Sequence, residues 1–147
     1  MDLTSLASVR KCADEFLKSG LPLNTLINNA GVMFSPRGHT RDGIEVQIGV
    51  NHVARFLFTT LLLDKLKASA PARIINVSSH ASTIFQKTTG IDLDDLRLEK
   101  NVSYDKYNRY GQSKLANILF AMELQRRLGP DSGVTAVSLH HGWRLSL

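Results

Sequence analysis

Cysteine is nearly absent from this chain of 147 residues: Cys12 is the only one. No disulfide can form within the chain. Cys12 sits in an amphipathic stretch and is expected to be a small buried hydrophobe. His and Cys are nowhere grouped with zinc-ligand spacing, so no metal centre is expected. The adjacent His140 and His141 fall in a strand-like stretch, where neighbouring side chains point to opposite faces and do not chelate together. Long apolar runs are missing as well. The longest, FLFTTLLL, is far short of the roughly 20 residues that cross a bilayer, so no membrane span is expected. The opening residues MDLTSLASVRK lack the apolar stretch of a secretory signal, which makes the cytoplasm the expected location. Lys and Arg are scattered singly, without a dense run or basic–aromatic interleaving, which argues against a nucleic-acid partner.

What is present suits one domain over residues 1–147. At 43% hydrophobic and 21% charged, the chain has the balance of a globular protein with a core of useful size. The net charge of +5 reads either as a solubilising surface field or as attraction to an anionic ligand such as a phosphorylated cofactor.

Apolar periodicity orders the chain. Leu6, Val9, Ala13, Phe16 and Leu17 recur at helical spacing between Ser5 and Ser19, with Thr4 or Ser5 as cap and Gly20-x-Pro22 as stop. Leu23–Ile27 reads as a buried strand, followed by NNAG and the breaker-rich loop MFSPRGHTRDG. A long helix is expected from Gly43 to Ser69, a second strand at ARIINVSS, and then a long connection with a short helical turn. A helix over Tyr107–Leu128, stopped by Gly129-Pro130, and a strand over Val134–Leu139 complete the order. Alternating helices and strands imply about three parallel strands with helical crossovers: an α/β, Rossmann-like sheet. Ligands of such sheets bind at the carboxyl ends of the strands, which here carry NNAG, NVSS and HHG.

Tyr110 and Lys114 stand one helical turn apart in YGQSK, their Cβ atoms roughly 5–6 Å from one another on one face. A phenol titrates near pH 10, about three units too high for ready proton exchange at neutrality. An adjacent ammonium favours the phenolate, and closing the gap would take about 4 kcal/mol, so a second positive charge would help. The pair can act as a general acid/base, although a Tyr with Lys one turn on is in most helices a solvated edge. NNAG leaves room for a ligand to approach the backbone, or is simply a turn that needs small residues. Ser78 and Ser79 could bond a substrate oxygen or form a turn. Asn51 lies in an apolar helical stretch, which points to a buried polar role.

NNAG, the NH of VNHVARF, the NVSS strand end and the YGQSK pentad, in that order and spacing, resemble the short-chain dehydrogenase/reductase family. The resemblance runs from Asp2 to Ser146. IDLDDLRLEK and YGQSKLANILFAMEL resemble its retinol dehydrogenase and WW-domain oxidoreductase branch with its fungal relatives. The resemblance implies NAD(P)-dependent hydride transfer between nicotinamide and a small-molecule carbonyl/alcohol substrate. Tyr110 would be the proton donor and Lys114 would lower its pKa and hold the nicotinamide ribose. Ser79 would orient the substrate oxygen, and Asn51 would hold a water linking Lys114 to solvent. Asn28, Asn29, Ala30 and Gly31 would line the cofactor cleft, and Asp2 would contact the adenine ring. The helices over 43–69 and 107–128 match those through which the family pairs subunits, with a second copy or a different chain.

Two departures from the family pattern shape the expectations. The TGxxxGIG-type glycine loop and its strand are not in the sequence, so the chain resembles a family member truncated at both ends, or an incomplete gene model. His141 stands where the family carries Pro, and Ser146 falls at a hydroxyl position. A sheet of three strands in place of the family's seven predicts an open edge at Leu23–Ile27 and marginal stability or dependence on a partner. The same residues are therefore also compatible with a catalytically silent chain that acts through association. The residues that discriminate NAD from NADP and select the substrate belong to segments this sequence does not contain, and the charge of +5 leans toward the extra phosphate of NADP.

Overall fold

The computed structural model describes residues 1–85, 90–100 and 103–140; His141 and Ser146 lie outside them. Helix α1 spans Leu6–Lys18, and of the two candidate caps it is the Ser5 hydroxyl that accepts from the Ser8 amide at 3.3 Å. Strand β1 spans Thr25–Asn28 rather than Leu23–Ile27. The Leu23 amide is drawn off the ladder by the Ser69 hydroxyl at 2.9 Å, which delays the strand. Cys12 is half-buried rather than enclosed.

The expected helix over 43–69 is broken into parts. Gly43 sits at φ +74 in a turn, and the helix starts only after Glu45, whose carboxylate caps the amides of Gln47 at 3.0 Å and Ile48 at 2.9 Å. Short helix α2 (Val46–Ile48) runs into one wide π turn over Gly49–Val53, in which the Ala54 amide reaches back to the Gly49 carbonyl. Helix α3 (Ala54–Leu61) follows, then a break at Leu62 with ψ 0, and helix α4 (Leu63–Ala68).

Strand β2 covers Ala72–Val77, the short helix α5 Ala81–Ile84, the long helix α6 Lys106–Leu128 and strand β3 Val134–Leu139. Asp105 caps α6 by accepting from the Tyr107 and Asn108 amides, and Gly129 at φ +71 ends it. The long connection is tied down by a buried ion pair, Asp95 to Arg109 at 2.9 Å.

The three strands form one parallel sheet in the order β1-β2-β3, with Leu26, Ile74 and Ala136 in register. That register puts these three residues on one face, beneath Ala13 of α1, Leu62 and Leu66 of the α3–α4 segment and Leu124 of α6. Both crossover helices cover this face. The other face is open: Ile27 is 57% and Val137 37% exposed. Among the described residues β1 pairs with β2 alone, so the expected open edge is present.

Candidate active site

The carboxyl ends of β1 and β2 and the first turns of α6 enclose a cleft of about 250 Å3. Its lining includes Asn29, Gly31, Ser78, Ser79, Tyr110 and Lys114. The Lys114 ammonium stands 5.6 Å from the Tyr110 ring centroid, so the spacing read from the sequence does place both on one cleft wall. Tyr110 is buried, and Phe34 meets its ring edge-on at a centroid distance of 5.1 Å. Its hydroxyl makes no hydrogen bond with any described residue. Ser79 is half-buried; its Oγ accepts from the Ala81 amide at 3.2 Å and keeps its own proton available for a ligand.

A polar network behind the wall fixes these groups. Lys114 Nζ donates to the Val77 carbonyl at 3.2 Å, and Asn117 Nδ2 donates to the same carbonyl at 3.1 Å. Ser78 Oγ donates to the Lys114 carbonyl at 2.7 Å, joining the strand end to the helix. Ser113 Oγ donates to the Tyr110 carbonyl at 2.7 Å and accepts from Asn51 Nδ2 at 3.0 Å. Gly111 lets α6 approach α5: a Cβ there would lie 2.7 Å from the Ala81 carbonyl. Residues 110, 113, 114 and 117 are all buried on one stripe of α6. Polar residues repeating at that spacing within a helix were the sequence signal that could have disclosed Ser113 and Asn117.

Asn51 has the buried role expected of it, being 0% exposed, but the groups it serves are specific. Its Oδ1 accepts from the Val32 amide and its Nδ2 donates to the Val32 carbonyl, both at 2.8 Å. The side chain is thus committed to pinning the loop after NNAG, and does not line the cleft. Asn28 donates to Thr59 and Asn76 and holds β1 to β2 and α3. With Ala30 it borders a separate cavity of about 70 Å3. The Asp2 carboxylate is engaged by the Thr4 amide and hydroxyl and by Arg41, at 2.9, 2.7 and 3.2 Å. The Thr4 hydrogen bonds hold it below the usual carboxylate range, and it does not border the Tyr110 cleft.

Arg55 was not singled out in the sequence. Its guanidinium is buried at 4% exposure, and Nη1 donates to the Asn28 carbonyl at 2.9 Å. A Cβ on Gly31 would lie 2.7 Å from Nη2 and 2.6 Å from the Asn51 oxygen, so any larger residue there would have to displace these two side chains.

Burial, followed by the repulsion of Arg55, holds the Lys114 amine down to about 8 from an ordinary 10.5. The unfolded chain therefore binds this proton more tightly than the folded one, and stability rises with pH across that interval. The expected gain from pH 7 to pH 9 is on the order of 1 kcal/mol, in a window that ends below the value near 10 at which Arg55 titrates. Urea midpoints of the wild type should climb over that window, and Lys114→Met should flatten the climb. An equal climb in both proteins would show that the lysine is not the group responsible.

The donor set suits the polar end of a nicotinamide dinucleotide: one ammonium and two hydroxyls whose hydrogens are not spent on other described residues. At about 250 Å3 the cleft is below the roughly 300–1,000 Å3 of a complete ligand pocket, so it takes part of such a molecule.

Comparison with known proteins agrees with this geometry. Human retinol dehydrogenase 13 is 51% identical over 142 residues, covering 97% of this chain and 41% of that protein. Mouse retinol dehydrogenase 12 is 47% identical over 146 residues, 99% of this chain and 44% of the relative. The chain thus spans less than half the length of these relatives. A crystal structure of an uncharacterised protein from Mycobacterium paratuberculosis superposes with a TM-score of 0.81 at 42% identity, covering 98% of this chain and 49% of that one. A Burkholderia cenocepacia short chain dehydrogenase in complex with NADP gives 0.66 at 25% identity, covering 95% and 49%. Residues 1–90 match the sequence profile of the short chain dehydrogenases, and the chain belongs to that family.

Proposed function

We propose that this chain carries the proton-handling half of an NAD(P)-dependent oxidoreductase acting on a carbonyl/alcohol pair. The observation that carries the reading is the meeting of Ser79, Tyr110 and Lys114 around one cleft at the carboxyl ends of parallel strands. A bound nicotinamide would supply the hydride to the substrate carbon, or accept it in the reverse direction. In reduction, Ser79 donates a hydrogen bond to the carbonyl oxygen and Tyr110 gives its phenolic proton to that oxygen as it becomes a hydroxyl. Lys114 places a positive charge beside the phenol and is positioned to hold ribose hydroxyls. Asn51 acts indirectly, by fixing the loop that forms the opposite wall. NADP is the preferred partner of the two cofactors. The chain's net charge of +5 and the NADP complex of the Burkholderia relative support that preference. The names of the relatives make a retinol/retinal pair the first substrate to assay.

Calorimetric titration with NADPH and NADH is the direct test. Binding tighter than about 1 mM, with NADPH ahead, is the expected result. Heats indistinguishable from dilution at millimolar cofactor would end the enzyme reading for this chain.

A second reading is association with another chain or copy. Phe56, Leu119 and Met122, on α3 and α6, are exposed at 47%, 47% and 65%, and Phe56 packs on Phe120 at 5.0 Å. Size-exclusion chromatography should then give a species larger than the 16.3 kDa monomer, and Met122→Glu should dissociate it.

A further inference from the structure

The loop that forms one wall of the cleft is pinned at both ends and strained between them. Asn51 holds Val32 by its amide and its carbonyl, both at 2.8 Å. Three residues on, the Ser35 carbonyl stands 3.2 Å from the Tyr104 hydroxyl, which also bonds the Glu45 carboxylate. Between these anchors Met33 is exposed and lines the cleft. Phe34 follows at φ +55. At such an angle the Cβ of an L-residue crowds a neighbouring carbonyl oxygen, so glycine is the usual occupant and a bulky ring is an outlier. Leu98 is the other described non-glycine residue with positive φ, and it takes no part in lining the cleft. Outliers of this kind persist where the surroundings over-determine them, and they gather at functional sites.

The surroundings of Phe34 are three aromatic rings. Its centroid lies 4.7 Å from Tyr107, 5.1 Å from Tyr110 and 5.7 Å from Phe85. All three separations fall in the range of favourable tilted and edge-on packing. Tyr107 and Tyr110 stand three residues apart on α6 and so present neighbouring rings. Phe85, at the end of α5, closes the group at 5.5 Å from Tyr107. Among the described residues no other aromatic ring packs on Tyr110. The Tyr110 hydroxyl has no described hydrogen-bond partner either, so packing rather than a polar tether sets the direction of its ring.

We propose that Phe34 is a positioning residue for Tyr110: the pinned loop holds Phe34 in a strained backbone conformation, and the Phe34 ring in turn holds the Tyr110 ring on the cleft wall. Its part in proton transfer rests on the proposed function; the strain and the ring contact do not.

Phe34→Ala and Phe34→Gly separate strain from contact. Both remove the ring, and only glycine is at ease at this φ. Glycine ordinarily costs stability relative to alanine. Here the order should reverse, with Phe34→Gly melting about 3 °C above Phe34→Ala. The two should nevertheless lose their hold on Tyr110 alike. In carbonyl reduction, kcat should fall about tenfold or more in both, as expected of a misplaced proton donor. NADPH affinity should change by less than about threefold, because Gly31 and Val32 keep their anchor at Asn51. Relaxation measurements read the same contact without turnover. The chain has three tyrosines, so 13C-tyrosine labelling with Tyr110→Phe as the assignment isolates the Tyr110 ring. Its order parameter should drop in both variants, while that of Tyr104 stays at the wild-type value. If neither variant folds, Phe34→Leu keeps the apolar bulk and should show a smaller loss of the same kind in kcat and ring order. A mobile Tyr110 ring in the variants of a wild type without turnover upholds the positioning and rejects the enzyme reading. A Tyr110 ring as ordered in the variants as in wild type overturns the proposal. So does an alanine variant that melts at or above the glycine variant, or a loss of NADPH affinity as large as the loss of kcat.

Discussion

Replacing Tyr110 with phenylalanine is expected, under the proposed function, to slow carbonyl reduction by roughly 10^2–10^4-fold, the range contributed by a positioned general acid. The same change should leave folding stability within about 0.5 kcal/mol. The two expectations separate because the ring and the hydroxyl do different things. The ring is packed against Phe34, and Lys114 Nζ lies 5.6 Å from its centroid; phenylalanine keeps both contacts. The hydroxyl has no described hydrogen-bond partner, so its loss strands no protein group. Turnover followed by nicotinamide absorbance, together with a urea titration, reads both quantities on one preparation. Retained turnover would transfer the proton donor to another group of the cleft. A large loss of stability would mean that the phenol is structural and that its activity effect is indirect.

The parts of this site that could be read in the sequence are those set by short-range geometry. The spacing of Tyr110 and Lys114 is local, and a helix turns that spacing into a shared face whatever packs around it. The parallel sheet follows from alternating elements, and NNAG and the serine pair mark the strand ends. What escaped was set by contacts far apart in the chain. The π turn at Gly49–Val53 has no marker that the sequence GVNHV alone would set apart from an ordinary helical turn. The partners of Asn51 are the backbone groups of Val32, 19 residues earlier, and Ser113, 62 later. Arg55 looked like an ordinary charge in VNHVARF. Yet it follows Asn51 by one turn, and a charged residue sharing the face of a buried amide was the available sign that it turns inward. The start of β1 shifted for a similar reason, because the Ser69 side chain competes with the sheet for the Leu23 amide.

Asn51→Ala should therefore produce the largest loss of stability of any polar substitution at the site, about 3 kcal/mol. Three hydrogen bonds disappear together, at 2.8, 2.8 and 3.0 Å, from a side chain with no solvent contact. The groups left unpaired are the Val32 amide and carbonyl, each costing about 1–3 kcal/mol if it stays buried, while the Ser113 hydroxyl keeps its bond to the Tyr110 carbonyl. Val32 is only half-buried, so water can re-solvate part of its backbone and holds the total near the lower end. The damage should also be directional. Val32 and Gly31 form one wall of the cleft, while Tyr110 and Lys114 sit on α6 and keep their own anchors at Val77 and Ser113. Cofactor binding should then weaken more than the ordering of α6. Hydrogen exchange makes the distinction: in Asn51→Ala the Val32 amide should lose protection well before the amides of Lys114 and Asn117. A uniform loss across all three would mean that Asn51 supports the whole fold, and a variant within about 1 kcal/mol of wild type would mean that the loop is held by something other than this side chain.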